Sequence, residues 1–361
     1  MKKKILLIPL TVFSLIGCNK IGNKNEKVYL NTGSLIDNEA TKILFTDLKG
    51  MIYDKNSFLI AVYPGEKSSC GCWLNFSDNL NSFVKENKEI VYKINYGLLE
   101  DNKESFGLDY LSDRPTFAIF KDGKLHKQWV YNKAGDDQDL FTSKTYFKNL
   151  VNKYTVAPKV LFLDQTMLDE KIKTDEFVVM YEWKNCPDCT YCLPNSVYPY
   201  FKLEKNKDKK DIYIIDLQIK GLLLDEEGNY SPNNENYVKF KTEHGLNEEG
   251  NKDFGYNDGY VPTFQYYKNG RLESASVYFN DVIGYNEQTS TYFIEDTFYT
   301  NERSSKLRYL DNFEGEKSLL GLNIPSEELN INSETNKASW KKEYAEIVHN
   351  PYLYAFFDYY L

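Results

Sequence analysis

The chain has 361 residues, a formal net charge of −9, and a composition that is 42% hydrophobic and 16% aromatic. This length favours two domains, and the hydrophobic content excludes an intrinsically disordered protein. The negative charge argues against a nucleic acid partner, because phosphate groups repel an acidic surface. The composition therefore predicts a folded protein with partners of another kind.

The N-terminus has the pattern of an export signal. Three lysines at residues 2–4 precede a largely apolar run over residues 5–16, which is too short to span a bilayer comfortably. The sequence Leu15-Ile16-Gly17-Cys18 resembles the lipobox of bacterial lipoproteins, and this resemblance implies that Cys18 is acylated. An uncleaved anchor helix is the alternative. Both interpretations predict a protein held at the cell membrane, on its extracytoplasmic side.

An internal repeat predicts two related halves. Residues 114–131 have the sequence RPTFAIFKDGKLHKQWVY, and residues 261–278 have the sequence VPTFQYYKNGRLESASVY. Each copy has Pro-Thr-Phe, an apolar strand, an Asp-Gly or Asn-Gly turn, and a second strand. These dipeptides supply the positive φ angles that tight hairpins need. Two matched hairpins about one domain length apart predict tandem domains.

The elements before each hairpin follow a similar order. In the first half, we predict a helix over residues 38–53 and strands over residues 57–63 and 89–94. In the second half, we predict strands over residues 159–163, 176–183 and 211–216 and a helix over residues 167–173. Cysteines follow the central strand of each half. This order predicts an α/β fold with two tandem domains, each a mixed β-sheet flanked by helices.

The predicted domain organisation has four parts. They are a signal peptide (1–17), a tether (18–37), a first domain (38–156) and a second domain (157–361) that begins at Ala157-Pro158. The second domain carries an insertion over residues 218–259, with a helix that starts at Ser231-Pro232. A second insertion, residues 280–337, is polar and predicted to be irregular. A helix near residues 340–361 is expected to close the chain and to pack on the second sheet.

The strongest chemical signal is the sequence Trp183-Lys-Asn-Cys186-Pro-Asp-Cys189. Two cysteines at i and i+3, where a strand turns into a helix, can close a small disulfide ring. The helix N-terminus stabilises a thiolate at Cys186, which makes Cys186 the candidate nucleophile and Cys189 the resolving cysteine. Asp188 lies between them, and its negative charge should oppose thiolate formation. We therefore expect a more reducing pair, or a less acidic nucleophile, than the dipole alone implies.

This region resembles the thioredoxin family. The resemblance is carried by Trp183, Cys186, Cys189, Pro194 and Val261-Pro262-Thr263. In that family the proline before the hairpin strand is cis and faces the dithiol, and the backbone of its neighbour helps to hold the substrate. The resemblance implies these roles for Pro262 and Val261. It also implies thioredoxin-like domains over about residues 40–155 and 157–279, and reversible disulfide exchange with protein thiols.

The first half carries a shorter cysteine motif, Cys70-Gly71-Cys72, and Pro115 stands where the family has its cis-proline. A ring disulfide between such close cysteines would be strained, and strained disulfides are the labile ones. This site is a second candidate redox centre. The alternative is a degenerate copy in which the cysteines form a structural bridge or bind nothing.

Cys192 follows Cys189 by three residues, and three interpretations stay open for it. They are a small buried apolar residue, an alternative partner for Cys189, and a regulatory thiol. A metal site at Cys186, Cys189 and Cys192 would need a fourth ligand. Because no histidine lies near the motif in sequence, we predict no metal and no cofactor.

The sequence thus predicts a membrane-anchored, extracytoplasmic thiol–disulfide oxidoreductase. Its expected partners are protein thiols or disulfides, together with a membrane redox partner if the protein acts as a reductant. The competing prediction is a thioredoxin-like lipoprotein without catalytic activity, in which structural disulfides stabilise a scaffold that binds a protein partner. The fold alone does not separate the two.

Overall fold

The computed structural model describes ten segments of the chain. They are residues 27–64, 71–132, 138–278, 283–286, 291–294, 298–299, 301–311, 329–332, 337–340 and 345–361. The predicted signal peptide, Cys18 and Cys70 lie outside these segments. Within them, every helix is too short or too polar to cross a membrane.

The first half folds around a five-stranded mixed sheet. Its elements in chain order are β1 (Val28–Tyr29), β2 (Gly33–Ser34), β3 (Thr41–Lys42), α1 (Phe45–Tyr53), β4 (Phe58–Tyr63), α2 (Gly71–Asn87), β5 (Val91–Asn95), α3 (Tyr96–Asn102), β6 (Thr116–Lys121), β7 (Lys124–Val130), α4 (Asp139–Thr142), α5 (Lys144–Tyr154) and β8 (Thr155–Val156). The sheet has the order β3-β5-β4-β6-β7. Strands β3, β4 and β5 are parallel, and β6 and β7 are antiparallel to their neighbours.

The central strand β4 is apolar along its whole length because both faces of the sheet are covered. All six of its residues are buried. On one face, Phe76 of α2 and Phe147 of α5 pack in the core. On the other face, Leu48 of α1 and Leu99 of α3 form the second core.

The second half repeats this architecture. Its elements are β9 (Val160–Phe162), α6 (Gln165–Thr174), β10 (Glu176–Glu182), α7 (Pro187–Cys192), a π-helical segment (Leu193–Val197), α8 (Tyr198–Lys202), a 3₁₀ turn (Glu204–Asn206), β11 (Ile212–Asp216), α9 (Glu235–Glu243), β12 (Thr263–Lys268) and β13 (Arg271–Val277). The sheet has the order β2-β9-β11-β10-β12-β13. Apart from the added β2, the strands follow the same order as in the first half.

The hairpins of the two halves have the same turn conformation and the same closing hydrogen bond. The turn residues Asp122-Gly123 and Asn269-Gly270 all have positive φ angles, as predicted. The backbone N–H of Tyr131 donates to the Pro115 carbonyl at 2.9 Å, and that of Tyr278 donates to the Pro262 carbonyl at 3.0 Å. The predicted fold class, an α/β fold with two mixed sheets flanked by helices, is confirmed.

The tether prediction is wrong for residues 28–34. Strand β1 pairs in parallel with β8 of the first half, and β2 pairs in parallel with β9 of the second sheet. Val28 and Leu30 are buried, because a strand that packs one face in a core buries alternate residues. The N–H of Ser34 donates to the Lys88 carbonyl at 2.8 Å, and the N–H of Leu35 donates to the Phe162 carbonyl at 2.8 Å. This segment therefore joins the two halves.

Gly33 lies where the segment contacts both halves. A Cβ atom on Gly33 would lie 2.7 Å from Pro158 Cγ and 2.8 Å from Leu161 Cδ2, and would also collide with a backbone carbonyl. We expect Gly33→Ala to lower the free energy of unfolding by about 1–3 kcal/mol, as overpacking does. Urea denaturation measures this change.

Gly50 in α1 provides the matched control, because a Cβ atom there would have no neighbour within 4 Å. Gly50→Ala is expected to raise the free energy of unfolding by about 0.5–1 kcal/mol, since alanine is the better helix former. Equal effects of the two substitutions would contradict the tight junction at Gly33.

The two insertions in the second half differ from their predicted structures. The helix in the 218–259 insertion begins at Glu235 and not at Ser231-Pro232, because the side chain of Asn234 caps it by accepting the Asn236 N–H at 3.0 Å. Residues 280–337 are not irregular throughout, since they contain three strands of a four-stranded antiparallel sheet. Its strands are β14 (Ile283–Asn286), β15 (Thr291–Ile294), β16 (Leu329–Asn332) and β17 (Lys337–Trp340), in the order β15-β14-β17-β16.

A short helix α10 (Asn301–Ser304) and a 3₁₀ turn (Arg308–Leu310) precede the closing helix, α11, which spans Ala345–Tyr360. It begins later than predicted because the chain before it forms β17. Its aromatic side chains pack on the second sheet, as predicted. The rings of Phe357 and Phe264 lie 5.4 Å apart, and those of Tyr360 and Tyr266 lie 4.1 Å apart.

Candidate dithiol active site

Cys186 lies between the end of β10 and the start of α7. It is the N-cap residue of that helix, and Pro187 takes the first helical position, where a missing N–H costs nothing. The backbone N–H of Cys189 donates to Cys186 Sγ at 3.3 Å. The local sequence therefore places one sulfur at the helix N-terminus and the other inside the first turn.

The two thiols differ in acidity. Both are free. The Cys189 thiol and the backbone N–H groups of Cys189 and Asp188 donate to Cys186 and lower its pKa, although the negative charge of Asp188 opposes them. Burial and the charge of Cys186 raise the pKa of Cys189. Cys186 is therefore the thiol that ionises first.

Asp188 is held by Tyr260, whose hydroxyl donates to Oδ2 at 2.5 Å. We expect Asp188→Asn to lower the pKa of Cys186 further, because the opposing charge is removed while the helix N-terminus stays. The ultraviolet absorbance of the thiolate, followed against pH, measures this. Asp258→Asn is the control, since Asp258 is exposed and lines the same groove. No change in the Asp188→Asn titration would contradict this role.

Glu182, the last residue of β10, is a buried acid that the sequence analysis missed. Burial, with the charges of Asp216 and Cys186, raises its pKa to about 8. Glu182 in turn contributes to the raised pKa of Cys189. The available signal was a charged residue at the end of an otherwise apolar strand, directly before Trp183.

Glu182 also lines a cavity of about 380 Å³ where the two halves meet. Asp216 and Lys184 of the second half line this cavity, together with Thr32 and Tyr92 from the first part of the chain. Glu182 thus lines a polar cavity at the junction, and its charge also acts on Cys189.

Val261 lies beside the dithiol, and the roles of Val261 and Pro262 in substrate binding stay predictions. The Val261–Pro262 peptide bond is cis, and the Cys186 thiol donates to the Val261 carbonyl at 3.7 Å. The ring of Trp183 lies 5.3 Å from that of Tyr230. Its indole N–H is buried and has no hydrogen-bond partner among the described atoms. Pro194 lies in the π-helical segment after α7, because proline has no N–H to continue the helical ladder.

A groove of about 470 Å³ runs along this site. Trp183, Cys186, Asp188 and Val261 line it near the dithiol. The 218–259 insertion and the residue after it also line it, through Tyr230, Pro232, Tyr237, Lys241, Asn257, Asp258, Gly259 and Tyr260. Because Cys186 is only 5% exposed, a substrate would reach it through this groove. The sequence did not predict that the insertion lines this groove, because only the packing of α9 on the second sheet brings it to Cys186.

The first half differs at the equivalent place. Cys72 lies in the first turn of α2, after the central strand β4, and it is disulfide-bonded. Its partner is none of the three free cysteines. Among the described residues the only cis peptide bond precedes Pro262, so Pro115 does not reproduce the cis-proline of the family. The second redox centre stays a prediction, and Cys70 lies outside the described residues.

Cys192 is completely buried in the core formed with Met180 and Tyr198. This position agrees with the interpretation of Cys192 as a small apolar residue. In the described part of the chain, no group of three or more potential metal ligands comes together. The buried His244 contacts the Phe240 carbonyl through Nδ1 at 2.9 Å and Asp169 through Nε2 at 3.2 Å.

Comparisons with known proteins give low similarity. No protein-family model matches the chain, and no curated protein matches its sequence. A mutant thioredoxin from Halobacterium salinarum matches with 19% identity and a TM-score of 0.25, over 33% of this chain and 94% of its own. The bb fragment of ERp72 matches with 12% identity and a TM-score of 0.29, over 66% of this chain and 90% of its own.

Human ERp44 matches with 11% identity and a TM-score of 0.28, over 63% of this chain, and the match spans only 50% of the ERp44 chain. Because all these TM-scores are low, the fold type of the two halves is assigned from their own strand order and site geometry. Two mixed sheets share one strand order. The first cysteine after the central strand β10 contacts the carbonyl of Val261, which precedes a cis-proline. The fold of the two halves is thioredoxin-like.

Proposed function

We propose that the protein is a thiol–disulfide oxidoreductase that acts on protein cysteines through Cys186 and Cys189. The observation that supports this proposal is the asymmetry of the pair. Cys186 has a lowered pKa, lines the groove and contacts the Val261 carbonyl, whereas Cys189 is buried with a raised pKa. This is the arrangement that a nucleophile and its resolving partner need.

The exchange proceeds in two steps. The Cys186 thiolate attacks one sulfur of a substrate disulfide, the substrate S–S bond breaks, and one substrate thiolate leaves. Cys189 then loses its proton and attacks the Cys186 sulfur, which releases the second substrate thiolate. The substrate is reduced to two thiols, and the protein is oxidised to a Cys186–Cys189 disulfide. The reverse sequence oxidises a substrate dithiol.

Glu182 is the proposed proton acceptor for Cys189. Its pKa of about 8 is close to the range in which a general base works best near neutral pH. Glu182 also lines the cavity between the halves, and polar side chains there provide a route by which the proton can leave the carboxyl group. In the reverse direction, the same carboxyl returns the proton.

We further propose that the protein acts at the extracytoplasmic face of the cell membrane. The pattern of residues 1–18 supports this, with Cys18 as the lipid-bearing residue. The opposing charge of Asp188 favours a reducing pair, because it destabilises the thiolate that would otherwise stabilise the reduced form. A reducing protein in this location would receive its electrons from a membrane partner.

A redox titration of the full-length chain tests the proposal, with thiol labelling mapped by mass spectrometry. A Cys186–Cys189 pair that titrates between about −270 and −120 mV would lie among known exchange catalysts. A pair below about −300 mV, or an inert Cys186, would support the alternative of a structural disulfide in a binding protein. The same mapping reports whether Cys70 and Cys72 titrate together.

A further inference from the structure

Lys241 is a buried cation in the groove beside the dithiol. It belongs to α9 of the insertion, and only 9% of the residue is exposed. Among the described residues, no carboxylate lies within ion-pair distance of its ammonium group. Its contact is with the ring of Tyr237, whose centroid lies 4.8 Å from Nζ. Such a cation–π contact only partly replaces the lost water.

The ring that the Lys241 ammonium contacts packs against the dithiol. Tyr237 packs in the same core cluster as Cys186 and Cys189. Burial raises the pKa of Tyr237, and the charges of Tyr230 and both cysteines add to the shift. Lys241, Tyr237 and Cys186 line the same groove. A substrate with its sulfur at Cys186 would therefore place a neighbouring group near Lys241.

Two donors in the groove have no acceptor among the described residues. Within the described residues the Lys241 ammonium contacts the Tyr237 ring and no acceptor, and the Trp183 indole N–H is buried without an acceptor. The Asp188 carboxylate already accepts the hydroxyl of Tyr260. Burial lowers the pKa of Lys241, and the charge of Asp258 partly offsets this. A ligand with a negative oxygen would restore the stabilisation that the ammonium has lost.

We propose that the groove binds a carboxylate of the disulfide substrate and that Lys241 is the residue that recognises it. This inference rests on the proposed exchange at Cys186 and defines its substrate class. A carboxylate fits better than a phosphate, because one ammonium matches one negative charge and the carboxylates of Asp188 and Asp258 would repel a dianion. The carboxylate has two sources, an acidic side chain beside a peptide cysteine or a small disulfide.

The first test measures binding without chemistry. Capped peptides carry Ser in place of Cys, with Glu or Gln at successive positions on either side, and they are titrated into the full-length chain. At the best position we expect the Glu peptide to bind about tenfold more tightly than the Gln peptide, as a charge-assisted hydrogen bond gives. Lys241→Met should remove this preference while it keeps the aliphatic stem.

Lys239→Met is the matched control. It removes the same charge from the same helix, but Lys239 is exposed and pairs with Glu243 at 3.6 Å, so the preference should persist. Asp258→Asn should strengthen the binding of the Glu peptide, because a competing carboxylate is lost. Equal binding of Glu and Gln peptides at every position, or a preference that survives Lys241→Met, would overturn the inference.

The second test separates the inference from the proposed function. The same peptides are made as disulfides and their reduction is followed. Preferential binding of the Glu peptides without reduction would contradict the exchange at Cys186 and leave the carboxylate site supported. Reduction without a charge preference would support the exchange and overturn the role of Lys241. Competition by oxidised glutathione that depends on Lys241 would identify a small disulfide as the source, and its absence would identify a peptide side chain.

Discussion

Replacing Cys186 by serine is expected to reduce disulfide exchange to the uncatalysed level, because Cys189 is buried with a raised pKa and cannot take over as the attacking thiolate. Cys189→Ser is expected to behave differently. The Cys186 thiolate still attacks, but nothing resolves the mixed disulfide, so the substrate stays covalently attached. Non-reducing electrophoresis with mass spectrometry of the adduct measures both outcomes.

Cys192→Ala is the matched control for this pair. Cys192 lies only three residues after Cys189, yet it is enclosed in the core and is a free thiol. Exchange should therefore persist in Cys192→Ala. If Cys192→Ala abolished exchange, or if adducts accumulated equally on Cys186→Ser, the assignment of attacking and resolving cysteines would be wrong.

Glu182→Gln is expected to stabilise the protein near neutral pH and to slow its exchange. The folded-state pKa of Glu182 is about 8, against 4.5 for an unperturbed glutamate. Between these values the unfolded chain loses a proton that the folded chain keeps, so stability falls as the pH rises through this window. At about 1.4 kcal/mol per pH unit, the loss reaches about 3 kcal/mol near pH 7.

Glutamine does not titrate, so the variant should escape this loss. Urea denaturation near pH 7 should show Glu182→Gln as the more stable protein by about 2–3 kcal/mol, and the difference should vanish near pH 4. Glu89, whose pKa burial raises to about 7, titrates in both proteins and cancels in the comparison. A difference that is independent of pH would contradict the raised pKa of Glu182.

The effect on exchange follows from the same group. Without the proposed proton acceptor for Cys189, the release of the mixed disulfide should slow, whereas the first attack by Cys186 should not. Rapid-quench measurement of the two steps separates them. A gain in stability together with a loss of rate is the trade-off expected of a destabilising group that is kept for function.

The amino-acid sequence by itself determined the repeat, the fold class and the position of the dithiol, because each depends on local rules. Asp-Gly and Asn-Gly force tight hairpins, continuous apolar runs give buried strands, and the proline of the Cys186-Pro-Asp-Cys189 motif starts a helix. These signals act over a few residues and need no knowledge of distant contacts.

The tertiary structure alone decided the rest. Residues 28–34 became strands because distant partners in both halves pair with them, and the polar segment after the second hairpin forms strands for the same reason. The groove exists because α9 of the insertion packs on the second sheet and brings Tyr237 and Lys241 to the dithiol. Strand pairing, burial and charge environments depend on residues far apart in sequence, so the buried Glu182 and Lys241 acquired their candidate roles only when the chain folded around them.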